Sequence, residues 1–226
     1  IKINKINAVF EKKKINENEI KDLIFDVKEG KIGGFNVTIP FKQKVIPFLD
    51  ELTEKAKKTQ SVNTIYLGNR GTVGDNTDVD GFKSSLKNEY DVKNKNIFIL
   101  GAGGVVPSII FALKDMGAKN IMISNRTQEK AENLKKIFNN IKIVDWGKIP
   151  NFDMIINATS IGLNIKDEIK LDFSKIKNKF FYDIIYNPSE TNFLKVGKTS
   201  GNKTLNGKLM FIYQAYYAFS IWHNLS

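Results

Sequence analysis

The apolar run Ile97-Phe98-Ile99-Leu100 passes directly into Gly101-Ala102-Gly103-Gly104-Val105-Val106, and no other junction limits the possible folds so strongly. A run without polar alternation reads as a strand buried on both faces. The glycines that follow predict a tight turn, and Ser108 to Met116 has helical spacing. Further strands are predicted at Ile121 to Ser124, Ile141 to Val144, Met154 to Asn157 and Phe180 to Ile185, with a helix from Gln128 to Phe138. Strict alternation of short apolar runs with helices predicts a parallel sheet covered on both faces.

The first third is built differently. Asn16 with Glu19 three residues on predicts a capping box that opens an amphipathic helix, Glu17 to Lys28, with Gly30 near its end. Phe35 to Ile39 predicts a strand running into Pro40, Thr53 to Lys58 a short helix, and Val62 to Leu67 another strand. Gly68-Asn69-Arg70-Gly71 reads as a hairpin turn into Thr72-Val73-Gly74. Helical spacing returns from Asp78 to Glu89, and the polar stretch Asp91 to Asn96 is the best domain seam. Leu209 to Trp222 predicts an apolar, aromatic-rich closing helix.

Composition narrows the chemistry. Cysteine is absent and His223 is the only histidine, which excludes disulfides, thiol catalysis and zinc sites built on Cys or several His. No apolar run reaches the length of a membrane span. The net charge is +11, but the lysines are scattered rather than gathered in a stripe, so they read as a solvated surface and not as a nucleic-acid face. Arg70 and Arg126 are the only arginines among 35 basic residues, so the place of each is informative.

The glycine loop stands between a strand and a helix, the context a dinucleotide site needs. Gly101 permits the turn, and Gly103 lets the backbone approach a pyrophosphate seated on the helix N-terminus. Pro107 is tolerated in the first turn, where its missing N–H has no helical acceptor to lose. At the end of the second strand, Ser124-Asn125-Arg126-Thr127, an NAD enzyme places a carboxylate for the ribose hydroxyl. This chain instead has Arg126, with Asn125, Thr127 and Lys130 around it, a set suited to a 2′-phosphate and hence to NADP. Lys42 and Asp78 each follow a strand-like stretch, and a lysine facing a carboxylate can exchange a proton with a substrate hydroxyl. Asn36 and Thr38 are expected on one strand face, and Asp78 alone would also serve as a helix N-cap.

Taken together, Asn36 to Lys42, Ser61-Val62-Asn63-Thr64, Asn76 to Gly81, the glycine loop, Asn125-Arg126-Thr127, Asn157-Ala158-Thr159-Ser160, Tyr186-Asn187-Pro188 and Gly207 through Gln214 resemble shikimate dehydrogenase along essentially the whole sequence. The resemblance implies an α/β protein of two domains, 1–83 with 206–226 binding substrate and a Rossmann-like 84–205 binding NADP, and an active site in the cleft between them. It implies Lys42 and Asp78 as the catalytic pair, and Thr38, Asn63, Asp78, Tyr186 and Gln214 as substrate contacts. Gly101, Ala102, Gly103, Gly104, Val105, Asn125, Arg126, Thr127 and Lys130 would hold the cofactor, with Ile184 and Gly207 on its nicotinamide side and Glu54 nearby. No metal is implied. The expected protein is a cytoplasmic monomer or homodimer that reduces 3-dehydroshikimate with NADPH, without nucleic-acid or membrane partners.

The resemblance also implies a pair of serines, on an opening strand and helix, that hold the substrate carboxylate. No serine precedes Ser61 here, so those residues are expected on terminal segments of a longer chain, as is a final helix. Three other readings share these motifs. A quinate/shikimate dehydrogenase using NAD is opposed by Arg126. Methylene-tetrahydrofolate dehydrogenase is opposed by Asn76-Thr77-Asp78. A non-catalytic NADP-binding regulator is opposed by the presence of both Lys42 and Asp78.

Overall fold

The structure is a computed structural model that describes residues 6–164 and 166–224. Its first unit opens with α1 (Ile20–Lys28), preceded by a single 3₁₀ turn at Glu17–Glu19 where the sequence predicts continuous helix. The Glu19 carboxylate accepts the Asn16 backbone N–H at 2.7 Å, one arm of the predicted capping box. Ile20, Ile24 and Val27, spaced four and three apart, bury one face against Val37, Val45, Val62 and Ile65.

Four strands follow: β1 (Gly34–Asn36), β2 (Glu51–Leu52), β3 (Thr64–Gly68) and β4 (Gly71–Asp75), in the order β1-β3-β4-β2. β3 and β4 form the predicted hairpin, with Gly68 paired to Gly71. β1 stops at Asn36, earlier than the sequence predicts. Between β2 and β3 lies α2 (Glu54–Thr59), whose N-cap Thr53 accepts the Ala56 N–H at 3.3 Å. α3 (Thr77–Leu86) follows β4.

The second unit is a six-stranded sheet, β10-β9-β8-β5-β6-β7, with every pairing parallel. Its elements in chain order are β5 (Asn96–Leu100), α4 (Val106–Asp115), β6 (Asn120–Ser124), α5 (Gln128–Ile137), β7 (Ile141–Ile143), β8 (Met154–Asn157), β9 (Phe180–Asp183), α6 (Asn192–Thr199) and β10 (Lys203–Leu205). Ile97 and Ile99 face a core with Ile109, Ile110 and Leu113 of α4, while Phe98 and Leu100 face Phe152, Phe181 and Phe193. Burial of both faces explains the unbroken apolar runs.

Strict alternation fails at two connections: among the described residues no helix lies between β7 and β8 or between β8 and β9. There the sheet is covered by loop side chains. Phe173 packs edge-on against Phe181 and Phe193 at 5.6 and 5.8 Å between ring centroids, supplying the apolar area a helix would bring.

α3 and the closing helix α7 (Lys208–His223) join the two units. Val79, Phe82, Leu86 and Met210 share a core with Ile97, Ile109 and Tyr182, and Trp222 Nε1 returns to donate to Ile65 O at 3.0 Å. Among the described residues no helix is long and apolar enough to cross a membrane.

Candidate active site

Strand order locates the crevice. From β5 the chain moves outward to β6 and β7, then crosses back to β8 on the other side of β5. Ligands of open parallel sheets bind at this reversal, beyond the carboxyl ends of the strands. Leu100 and Asn157 pair there, and each strand then turns into the crevice at Gly101 and Ala158.

Gly101 sits at φ +109°, a conformation L side chains rarely adopt, and a β-carbon on it would lie 2.7 Å from Ala158 O. Its N–H donates to Ser124 O at 2.8 Å, which ties the glycine turn to the end of β6. Ala102 and Val105 pack at the edge of the core while Gly103 and Gly104 are exposed ahead of α4, so backbone there is open to an anion. Beyond β6, Asn125 Nδ2 donates to Thr127 O at 2.7 Å and folds the loop that carries Arg126. Arg70 pairs with Glu51 at 2.5 Å, whereas Arg126 is exposed and, among the described residues, pairs with no carboxylate. Lys130 is exposed one turn along, on α5. A glycine cradle beside an uncompensated guanidinium fits a phosphorylated dinucleotide.

The facing wall comes from the first unit. Lys42 Nζ lies 2.5 Å from Asp78 Oδ2, with the two side chains only 14% and 9% exposed. Asp78 is not the cap of α3, because that helix starts at Thr77 with Asn76 at the cap position. Its carboxylate is therefore free to face Lys42 with one oxygen and accept Asn63 Nδ2 at 3.0 Å with the other. Asn63 is buried and further held by Thr77, whose N–H donates to Asn63 Oδ1 at 2.8 Å. Lys42 O accepts the Val62 N–H at 2.8 Å, so β3 and its lead-in position both members of the pair.

Thr38 is exposed on the turn after β1, while Asn36 turns its side chain to Asn63 O and Thr64; the expected shared strand face is absent because β1 has ended. Tyr186, 43% exposed, stacks on Phe211 of α7 at 4.6 Å. One turn along, Gln214 bonds Phe211 O and packs on Gly81 of α3, close in sequence to Asp78. Gly207 abuts Ile184, where a β-carbon would come within 2.0 Å of Ile184 O. The two walls meet at Ile39, 3.7 Å from the place of a β-carbon on Gly104. Glu54 is the outlier: its exposed carboxylate pairs with Lys57 at 3.4 Å, and no contact among the described residues carries it to the glycine loop.

The buried carboxylate of Asp183 is not marked by any sequence motif. Asp183, at the end of β9, accepts Thr191 Oγ1 at 2.6 Å, the Ile185 N–H at 2.9 Å and Asn157 Nδ2 at 3.1 Å. Burial pushes its carboxyl up to about 6, the donors acting in the opposite direction. It thus ties Asn157, which precedes Ala158, to the Ile184-Ile185 segment that flanks Gly207. A surface hollow of about 700 Å³ between β2, β4 and the end of α7 shares no residue with this site.

Two family models cover most of the sequence: one described as the shikimate dehydrogenase substrate binding domain matches residues 1–65, and one described as shikimate / quinate 5-dehydrogenase matches residues 83–191. The chain belongs to the shikimate dehydrogenase family. A relative from Pelagibacter ubique named shikimate dehydrogenase (NADP(+)) is 59% identical over 227 residues, covering 100% of this chain and 86% of that protein. The crystal structure of the family member from Aquifex aeolicus superposes with a TM-score of 0.85 at 39% identity, covering 93% of this chain and 79% of that one. A shikimate dehydrogenase solved in complex with NADP+ gives a TM-score of 0.86 at 38% identity, over 94% and 78%.

Proposed function

We propose that this chain catalyses the reversible, NADP-dependent reduction of 3-dehydroshikimate to shikimate. The observation that carries the reading is the secluded Lys42–Asp78 pair, 2.5 Å apart, opposite the glycine loop. NADPH, when bound on Gly101 to Val105 with its 2′-phosphate at Asn125, Arg126, Thr127 and Lys130, supplies the hydride. Lys42 donates its proton to the oxygen of the carbonyl being reduced, regains one from water, and takes the hydroxyl proton in the reverse direction. The Asp78 carboxylate holds the ammonium in place, and Asn63 holds Asp78. The developing alkoxide meets a positive charge fixed before the reaction begins, so little reorganisation is needed.

In this reading Thr38, Asn63, Tyr186 and Gln214 bond the substrate hydroxyls, and Ile184 with Gly207 border the nicotinamide. Residues 1–83 with 206–226 form the substrate unit and 84–205 the NADP unit. The enzyme works in the cytoplasm on a small molecule, as a monomer or homodimer. A second reading, broader use of quinate, is favoured by the matched description that names both substrates. Following nicotinamide absorbance with shikimate and with quinate, each against NADP and NAD, separates the two. No turnover of either substrate with either cofactor would refute both.

A further inference from the structure

Turnover demands that two separately built walls hold their ligands in register, and one buried contact between those walls has no other evident purpose. Asn76 stands at the cap of α3, two residues before Asp78. Ser108 lies in the first turn of α4, the helix that the glycine loop opens. Asn76 Nδ2 lies 2.9 Å from Ser108 Oγ, and that hydroxyl lies 3.1 Å from Asn76 Oδ1. The same carboxamide donates to Thr59 Oγ1 at 3.0 Å and Ser61 O at 2.9 Å, at the end of α2. Asn76, Ser108 and Thr59 are all fully buried.

We propose that Asn76 and Ser108 are a clamp that fixes the catalytic wall against the cofactor wall, and that both are positioning residues for the reaction. One amide gathers α2, α3 and α4 at a single point, with Asp78 and the glycine loop each within a few residues of it. Because water is excluded there, removing the Ser108 hydroxyl takes away the donor to Asn76 Oδ1, while Asn76 Nδ2 keeps Thr59 and Ser61. The ion pair between α3 and α4, Lys83–Asp115 at 2.6 Å, has side chains 38% and 52% exposed and is open to solvent screening. Ser85 bonds Tyr182 at 2.9 Å, but that contact docks the far end of α3 on β9 and leaves α4 untouched.

The proposal rests on the reading of the cleft given above, and Ser108→Ala tests it. The variant should lose kcat by about tenfold or more, since a misplacement of about 1 Å costs on the order of a hundredfold. KM for shikimate and the Kd for NADP measured without substrate should stay within about threefold of wild type. Ser108→Cys, with nearly the same volume and a weaker donor, should fall between the two. Lys83→Ala should leave kcat within about twofold. Asn76→Ala, which also loses the bonds to Thr59 and Ser61, should be at least as slow as Ser108→Ala, and the double variant no slower than Asn76→Ala, because residues acting as one contact are not additive. Hydrogen exchange of the free protein reads the clamp without turnover: the amides of residues 77–79 and of 106, 108 and 109 should exchange faster in Ser108→Ala. Unchanged exchange, an unchanged kcat, or NADP affinity falling in step with kcat would each overturn the clamp. Inactivity of the wild type would instead refute the proposed reaction, with exchange still deciding the clamp.

Discussion

Gly81→Ala separates the two things a helix–helix contact can do. Gly81 lies inside α3, where alanine normally adds about 1 kcal/mol of helix stability. Here a β-carbon would stand 2.8 Å from Met210 O and 2.9 Å from both the N and Cβ of Gln214. Carbon contacts settle at about 3.5–4.0 Å, so α7 must retreat by roughly 0.6–1.1 Å. Overpacking of this kind costs about 1–3 kcal/mol, and after the helix gain the net loss is about 0–2 kcal/mol. For a chain of this size that lowers Tm by no more than roughly 8 °C. Activity should respond much more strongly. The retreat carries Gln214 away from α3, the helix that bears Asp78, and a shift of about 1 Å in a substrate-positioning group costs on the order of a hundredfold in rate. Thermal melts alongside kcat/KM for shikimate, with NADP affinity as a control, test the argument. A folded Gly81→Ala protein whose kcat/KM stays within about threefold of wild type would show that the α3–α7 approach does not set the site.

Lys42→Ala should lower kcat on the order of a hundredfold to ten-thousandfold while leaving the Kd for NADP nearly unchanged, as a fluorescence titration would show; retention of most of kcat would remove Lys42 from the proton transfer. Arg126→Ala should weaken NADP by about ten- to hundredfold, the worth of a charge-assisted contact of roughly 1.5–3 kcal/mol, and barely affect NAD in calorimetric titration. Equal losses for both cofactors would mean that Arg126 does not read the 2′-phosphate. Asp183 gives a pH prediction. Its carboxyl is raised from 3.8 to about 6 in the fold, so its contribution to stability is complete below the lower value and is lost as pH rises through the upper one. The shift corresponds to roughly 3 kcal/mol. The stability of wild type relative to Asp183→Asn, followed by denaturant melts, should therefore fall between about pH 4 and pH 7; a flat difference would contradict the buried-acid account.

The sheet of the second unit was legible because burial on both faces leaves little choice of residue. Ile97-Phe98-Ile99-Leu100 and Met154 to Asn157 admit no alternation, and the strands fall where the runs are. The elements that escaped sequence reading are those whose residues serve a neighbour. β10, Lys203–Leu205, has one parallel partner at the sheet edge and no apolar run. α6 contains Gly197, which reads as a helix breaker. In the fold its missing side chain makes room for Phe181, since a β-carbon there would lie 2.8 Å from the ring. The sequence pattern carries β1 three residues past its end at Asn36 because Val37 and Ile39 continue the apolar alternation after the ladder has turned away.

The site divides along the same line. Lys42 and Asp78 stand in motifs that the sequence shows, the family resemblance implies them as a pair, and the fold brings them to 2.5 Å. Nothing in the sequence joins Asn76 to Ser108. A serine in the first turn of a helix is ordinary wherever it is found, since its hydroxyl has local backbone partners. Only the docking of α4 on α3 turns this one toward a carboxamide 32 residues away. Asp183 was hidden for a related reason: it ends an aromatic strand, where burial argues against an ionisable residue unless donors converge on it. The three donors come from Asn157, Ile185 and Thr191, each on a different loop or strand end, and none announces the others. Chemistry that faces a ligand is carried by residue type and spacing, whereas the contacts that hold that chemistry in register depend on how the helices dock.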